Sequence, residues 1–151
     1  MSQSSDFKFG FDFRVRYAET DAQGIVHNSN YLLYFELGRV EYLRSLEFDY
    51  ASCIQQGFDF LLAASHVEYR SPATFDQLLY LQVCVWWVKR SSFQFRYQLA
   101  DKRSGNIIAE GYTTHVTLDL KTRTSSPFPE ELKRKIMGLE QRILTFEVGI
   151  D

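Results

Sequence analysis

A polar loop and the start of a long apolar helix share the stretch Tyr17-Ala18-Glu19-Thr20-Asp21-Ala22-Gln23-Gly24-Ile25-Val26-His27-Asn28-Ser29-Asn30-Tyr31. Asp21 lies a few residues ahead of the helix, whose first N–H groups have no partner within the helix and can polarise a carbonyl group. A carboxylate held beside a polarised carbonyl can attack it or direct water onto it. The stretch therefore indicates acyl-transfer chemistry.

The residues on either side of this stretch predict a strand and a helix. Apolar and polar residues alternate from Phe7 to Tyr17, which is the pattern of a half-buried strand. Asn28 or Ser29 can cap a helix that runs to about Glu47. Apolar residues cover most of this helix, so we expect other structure to wrap it. Gly38 in its middle predicts close backbone packing, because glycine costs about 1 kcal/mol relative to alanine in a helix.

Four further strands are predicted near residues 60–70, 78–89, 92–101 and 107–120, with a final helix from about Glu130. Short polar turns make antiparallel hairpins of the last three strands. Strand 78–89 is apolar on both faces, so one face can pack on the helix and the other needs a cover, most economically from an oligomer. Together these elements imply an α+β layer with the long helix across one face of a curved sheet.

Composition bounds the class of protein. The 151 residues fit one domain, and the net charge of −2 argues against binding duplex nucleic acid through bulk charge. Cys53 and Cys84 lie far apart in apolar contexts and are expected to be buried thiols in a reducing cytosol. No apolar run approaches the roughly 20 residues of a membrane span, and the N-terminus lacks the pattern of a signal peptide. We therefore expect a cytoplasmic protein without a membrane span.

Three blocks of the sequence carry a family resemblance. The first block is Tyr-x-Glu-Thr-Asp-x-x-Gly-Ile-Val-His-x-x-x-Tyr at 17–31, followed by Tyr34-Phe-Glu and Arg39-Val-Glu-Tyr-Leu43. The second block is Val67-Glu-Tyr-Arg-Ser-Pro-Ala-Thr-Phe-Asp76. The third block is Ala109-Glu-Gly-Tyr-Thr-Thr-His-Val-Thr-Leu-Asp119. They resemble the hotdog-fold acyl-CoA thioesterases, in the 4-hydroxybenzoyl-CoA thioesterase branch that includes the Tol–Pal-associated bacterial thioesterases. The resemblance covers about residues 9–135. We accordingly expect a flexible N-terminus at 1–6, a hotdog domain at 7–136 and a C-terminal extension at 137–151.

The resemblance implies a fold, an assembly and an activity. The fold is the hotdog, an antiparallel five-stranded curved sheet wrapped around a long central helix. The family works as homodimers whose sites use both subunits, often paired into homotetramers. The implied reaction is hydrolysis of acyl-CoA to a free acid and coenzyme A, with no cofactor beyond the coenzyme A of the substrate. Asp21 stands at the position of the catalytic carboxylate, as nucleophile or general base, and the backbone N–H near Asn28 polarises the thioester carbonyl.

Several residues near Asp21 have alternative interpretations. Without the resemblance, the pattern around Asp21 favours a loop carboxylate that forms an Asx-turn toward Gly24. Glu19 is best interpreted as a structural partner of Arg14 or Arg16. Each of these alternatives predicts a structural contact instead of a contact with substrate.

His27 and Glu36 are weaker candidates for the site. His27 is equally compatible with contacting substrate or steering water and with packing against Tyr31. Many family members carry Tyr or Phe at the position of His27, and Tyr or His at that of Asn28, which is expected to alter acyl-group preference. Glu36 either pairs with Arg39 along the helix or acts in catalysis, as a helix carboxylate does in another hotdog branch. His66 and His115 are interpreted as ordinary strand residues, and three widely spaced histidines predict no metal site.

Coenzyme A carries phosphates, so cations should line its approach. Four cations follow strands that terminate at the same end of the predicted sheet. They are either solubilising loop charges or nucleotide contacts, which could include contacts to a neighbouring subunit's substrate. With the loop and the helix start, the predicted substrate contacts are Gly24, Tyr31, Lys89, Arg90, Lys121 and Arg123.

Three alternatives to acyl-CoA hydrolysis stay open. A hotdog enzyme acting on acyl carrier protein thioesters would need a larger basic patch near the site. A non-catalytic acyl-CoA-binding or assembly protein would keep the fold without the activity, although Asp21 argues against it. A hydratase or dehydratase would place its carboxylate and histidine in a different motif and would release no thiol.

Overall fold

Five antiparallel strands form one sheet in the computed structural model, which describes residues 6–48 and 50–141. The strands are β1 (Phe9–Arg14), β2 (Phe58–Tyr69), β3 (Leu78–Val88), β4 (Ser92–Asp101) and β5 (Ile107–Asp119), and their order across the sheet is β1-β3-β4-β5-β2. The hairpins predicted for the last three strands are confirmed by the β3–β4 and β4–β5 pairings. The order leaves β1 and β2 at the two edges of the sheet.

The long helix α1 (Asn30–Ser45) packs across the inner face of this sheet. The ring of Phe35 stacks on that of Tyr97, with 4.2 Å between their centroids. At Gly38 an added Cβ atom would lie 2.7 Å from Leu81 Cδ2 and 2.9 Å from Val83 Cγ2. The close packing predicted at this glycine is therefore confirmed, because the helix rests directly on β3.

The first strand is shorter than the sequence pattern suggests. It ends at Arg14, and the chain then enters a 3-10 turn at Tyr17–Glu19. The turn takes Tyr17 off the inner face, so its side chain is 77% exposed and contacts the ring of Phe75 edge-on. Its predicted place on the buried face of the strand is therefore wrong.

A short helix, α2 (Tyr50–Gln55), lies between α1 and β2 where no element was predicted. It contacts β2 and buries Cys53. Cys84 is also buried, on β3, as the apolar contexts of both residues predict.

The outer face of β3 is partly covered by cations of its own chain. The Lys102 ammonium lies 4.3 Å from the centre of the Tyr80 ring, and the Arg96 guanidinium lies 4.2 Å from that of Trp86. Such cations are attracted to the faces of aromatic rings. A neighbouring subunit is therefore not the sole source of cover for this face.

The last helix, α3 (Glu130–Glu140), begins where predicted and crosses the boundary expected at residue 136. Glu140 is buried, and its Oε2 accepts hydrogen bonds from the Tyr42 hydroxyl (2.5 Å) and the Val85 N–H (3.0 Å). The packed domain thus includes residues 137–140, which were expected to belong to an extension. Residues 1–5 and 142–151, within the expected termini, lie outside the described residues.

Within the described segments, 6–48 and 50–141, no helix combines the length and the apolar character that crossing a bilayer requires.

Candidate active site

The loop that carries Asp21 is a tight turn fixed to the segment after β2. The Asp21 N–H donates to the Ile25 carbonyl, and the Gly24 N–H donates to the Asp21 carbonyl, each at 2.9 Å. Gly24 has φ +79°, a left-handed conformation that glycine adopts without steric cost. The Val26 N–H donates to the Ala73 carbonyl at 2.9 Å. Backbone bonds therefore determine the position of Asp21.

The carboxylate of Asp21 makes the Asx-turn that the sequence pattern suggests. Its Oδ1 accepts a hydrogen bond from the Gln23 N–H at 2.8 Å. Within residues 6–48 and 50–141, no group donates a hydrogen bond to Oδ2. One oxygen is thus held by the turn while the other is available, so a structural role and a chemical role are compatible.

Glu19 ties this loop to α1. Its Oε2 lies 3.0 Å from the Arg16 guanidinium, and its Oε1 accepts from the Tyr34 hydroxyl at 2.9 Å. Its backbone carbonyl accepts from the His27 N–H (3.0 Å) and the Asn30 side-chain amide (2.8 Å). Burial and the bond to Glu19 raise the pKa of Tyr34. The structural partner expected for Glu19 is therefore Arg16.

An open cleft of about 460 Å³ lies beside Asp21. It is lined by the Asp21 loop, by Asn28 just before α1 and Tyr31 in its first turn, and by residues 69–72 at the end of β2 and beyond it. The cleft brings together the carboxylate and the helix start that the sequence analysis paired.

Asn28 presents its backbone N–H without an acceptor among the described residues. Its carbonyl is occupied, because it accepts from the Tyr69 hydroxyl at 3.2 Å and from the Tyr31 N–H at 3.4 Å. Unpaired N–H groups at a helix start favour negative charge nearby. A carbonyl oxygen that gains charge during a reaction would be stabilised at this position.

The segment Tyr69-Arg70-Ser71-Pro72 forms a wall of the cleft that the sequence analysis did not assign. The Arg70 guanidinium pairs with the Glu68 carboxylate and lies 3.4 Å from Glu110 Oε2. The N–H groups of Arg70 and Ser71 donate to the Ile108 carbonyl at 2.8 and 3.1 Å. The sequence signal that could have identified this wall is the second family-like block, Val67–Asp76, which contains the segment.

His27 and Glu36 are not among the described residues that line the cleft. His27 Nδ1 accepts from the Ser29 N–H at 3.1 Å and lies 2.8 Å from the Ser29 hydroxyl. With Nδ1 as acceptor, the neutral ring carries its hydrogen on Nε2. Glu36 lies 3.8 Å from the Arg39 guanidinium, which is the helical pair that the spacing suggests.

The four predicted nucleotide contacts lie at the opposite end of the sheet from the cleft. Lys89 and Arg90 follow β3, and Lys121 and Arg123 follow β5. The Phe128 N–H donates a 2.7 Å hydrogen bond to the Arg90 carbonyl, so the segment after β5 packs against the β3–β4 hairpin. Ala109 of β5 pairs with Tyr69 at the cleft, and Asp119 ends the strand at the cluster. The ten residues between them separate the cluster from the cleft by about 30 Å, at the usual rise of roughly 3.3 Å per residue.

A buried polar cluster lies beneath α1. The Tyr97 hydroxyl is 2.6 Å from Thr113 Oγ1, and His115 Nε2 is 2.9 Å from the same oxygen. Burial, with a smaller effect from the Arg39 charge, lowers the pKa of His115 to about 3. His115 is thus a neutral core residue, and no group of three or more His, Cys, Asp or Glu side chains in the described segments is arranged to hold a metal ion.

Comparisons with known proteins agree on one family and one fold. The model of the Thioesterase-like superfamily matches residues 15–136. An acyl-CoA thioesterase, YbgC, of Haemophilus influenzae is 32% identical over 129 residues, which cover 85% of this chain and 93% of that protein.

Two solved structures have the same fold. A hypothetical protein from Aquifex aeolicus matches with a TM-score of 0.79 and 31% identity, over 85% of this chain and 98% of that one. A 1,4-dihydroxy-2-naphthoyl-CoA thioesterase from Synechocystis matches with a TM-score of 0.82 and 22% identity, over 87% and 97%. The second likeness concerns the fold alone, and together they confirm the hotdog fold that the resemblance implies.

Proposed function

This chain belongs to the Thioesterase-like superfamily, and on that premise we propose that it hydrolyses acyl-CoA thioesters to a free acid and coenzyme A. One observation carries the proposal: Asp21, which has an available carboxylate oxygen, and Asn28, which has an available backbone N–H, line the same cleft. The name of the Haemophilus relative supports coenzyme A as the thiol of the substrate.

Asp21 acts on the thioester carbonyl while the Asn28 N–H stabilises the oxyanion. As a nucleophile, Asp21 attacks the carbonyl carbon, the C–S bond breaks, the thiolate takes a proton, and water then hydrolyses the mixed anhydride. As a general base, Asp21 takes a proton from the attacking water, and the thiolate leaves with that proton. Both routes yield one acid and one thiol for each water consumed.

A single turnover in ¹⁸O-water tests for the nucleophilic route. Label in Asp21 identifies that route, because water has then attacked the Asp21 carbonyl of the mixed anhydride and an unlabelled Asp21 oxygen has left with the acid. Direct attack by water on the thioester labels the released acid and leaves Asp21 unlabelled.

The assembly we propose is a homodimer or homotetramer in which a second subunit completes the substrate site. Leu61 and Leu62 are about half exposed on β2, an edge strand of the sheet, and long exposed edges favour pairing with another chain. The cation cluster is about 30 Å from the cleft of its own chain. We therefore assign Arg90 and its neighbours to the nucleotide of a substrate bound in another subunit.

Coenzyme A is favoured over an acyl carrier protein as the carrier of the acyl group. A folded carrier would need a basic patch near the cleft. Arg70, at the cleft, already pairs with two glutamates, Glu68 and Glu110. The charge around the cleft is thus largely compensated.

A thiol-release screen over aromatic, short and long acyl-CoAs tests this function. Release of one equivalent of free thiol per acid formed is the expected result. Binding of acyl-CoA without thiol release would identify a non-catalytic binding protein. Loss of water from a 3-hydroxyacyl-CoA without thiol release would identify a dehydratase.

A further inference from the structure

The ring of Tyr31 packs between two other tyrosine rings beside the cleft. The residue is 4% exposed, although it lines the cleft beside Asp21 and Asn28. Its ring lies edge-on to those of Tyr34 and Tyr69, with centroids 5.9 and 5.2 Å away. Aromatic neighbours on two sides fix the direction of its hydroxyl.

The three tyrosines of this cluster differ in the partners of their hydroxyls. The Tyr34 hydroxyl donates to Glu19 Oε1 at 2.9 Å, and the Tyr69 hydroxyl donates to the Asn28 carbonyl at 3.2 Å. The Tyr31 hydroxyl has no hydrogen-bond partner in the described part of the chain. The Tyr31 oxygen is not among the fully buried side-chain atoms that lack a partner in the described residues, so it is accessible at the cleft and available to a ligand there.

The chemistry around Tyr31 limits what that partner is. Burial, with a contribution from Tyr69, raises the pKa of the Tyr31 phenol, so the neutral hydroxyl can both donate and accept. The cation at this cleft, Arg70, is paired with carboxylates, and the lining includes the apolar side chains of Val26 and Pro72. These surroundings suit an uncharged oxygen carried on an otherwise apolar group.

We propose that Tyr31 is a specificity-determining residue whose hydroxyl binds an uncharged oxygen substituent, a hydroxyl or a carbonyl, on the acyl group. The inference rests on the proposed function, because it assigns the acyl group to this cleft. The enzyme then favours oxygen-bearing acyl groups over their unsubstituted parents, since the parents leave the phenol hydroxyl unpaired.

Matched substrate pairs test this assignment. The pairs are benzoyl-CoA against the three hydroxybenzoyl-CoA isomers, and butyryl-CoA against 3-hydroxybutyryl-CoA and acetoacetyl-CoA. The unmodified protein should favour at least one oxygenated member by about 10-fold or more in kcat/KM. Tyr31→Phe should abolish that preference, lowering kcat/KM for the oxygenated member by about 10- to 100-fold and leaving the parent within about 3-fold.

Tyr69→Phe is the matched control, because it removes a hydroxyl of the same cleft whose partner is the protein itself. It should change both members of a pair by a similar factor and keep their ratio. Equal losses on both members with Tyr31→Phe would overturn the proposal, since the hydroxyl would then contact a part common to all substrates. An absence of preference in the unmodified protein would also overturn it.

Calorimetric titration of the same acyl-CoA pairs measures binding without turnover. The titrations use the Asp21→Asn protein, with and without Tyr31→Phe, so that the acyl-CoA substrates are not hydrolysed. Selective weakening of the oxygenated member by Tyr31→Phe is expected. If the unmodified protein releases no thiol from any substrate, the proposed function fails, and the titration still decides the role of Tyr31. If Asp21→Asn with Tyr31 intact binds the oxygenated acyl-CoA and its unsubstituted parent with equal affinity, the role of Tyr31 is overturned whatever the activity of the protein.

Discussion

The buried histidine His115 makes stability depend on pH in a defined window. Its pKa is about 3 in the folded protein, against an ordinary value of 6.5. Between these values the unfolded chain binds a proton that the folded chain does not, so stability falls as pH drops below 6.5 and is unaffected well above it. At pH 5, about 1.5 pH units below 6.5, the loss is about 2 kcal/mol at roughly 1.4 kcal/mol per unit.

Urea unfolding of the unmodified protein and of His115→Gln, at pH 7.5 and 5.0, measures this effect. Glutamine can retain a hydrogen bond to Thr113 without titrating, so the variant should lose about 2 kcal/mol less over the same interval. Comparing the two proteins cancels the contribution of other groups. The low pKa of Asp101 (about 2) and the lowered pKa of Asp119 place those titrations below this window. Identical pH dependence in both proteins would refute the reasoning.

Two further substitutions test the packing and the cation cluster. Gly111→Ala would place a Cβ atom against the His66 carbonyl oxygen across the β2–β5 pair, and it should lower the free energy of unfolding by about 1–3 kcal/mol. An unchanged urea midpoint would contradict this close approach. Arg90→Glu should raise KM more than it lowers kcat in the thiol-release assay, because the cluster binds the nucleotide remote from the reacting carbonyl; an unchanged KM would remove Arg90 from the substrate site.

Local sequence patterns determined much of the architecture. The apolar faces of β3, the apolar surface of α1 and the turn residues between strands are short-range signals, and these elements formed close to their predicted positions. The position of Gly38 also predicted a close contact, since a glycine within a helix is costly unless packing requires it.

The remaining features depend on contacts between distant residues. The pairing of β2 with β5 brings Tyr69 to Asn28, 41 residues away, and no local pattern encodes that contact. The helix α2 has only six residues and gives no clear periodicity. Tyr17 continues the alternating pattern of the strand in the sequence. In the structure, the hydrogen bond between the Arg16 N–H and the Glu19 side chain forms a turn, so the strand ends before Tyr17.

The family-like motif in the sequence identifies Asp21 and Asn28 as candidates, whereas the availability of their carboxylate oxygen and N–H depends on the folded structure. The pattern cannot distinguish an Asx-turn from a catalytic carboxylate, because Asp21 can serve both functions with different oxygens. The wall at residues 69–72 and the role of Tyr31 as an unpaired hydroxyl likewise depend on tertiary packing.

The most direct test of the account is the rate of thiol release by Asp21→Asn, compared with Asp76→Asn as a carboxylate outside the cleft. The Asn side-chain oxygen can still accept from the Gln23 N–H, so the turn and the unfolding midpoint should be preserved. Loss of the carboxylate should lower kcat by at least about 100-fold, while Asp76→Asn stays near the unmodified rate. Hydrolysis by a folded Asp21→Asn protein at close to the unmodified rate would contradict the account.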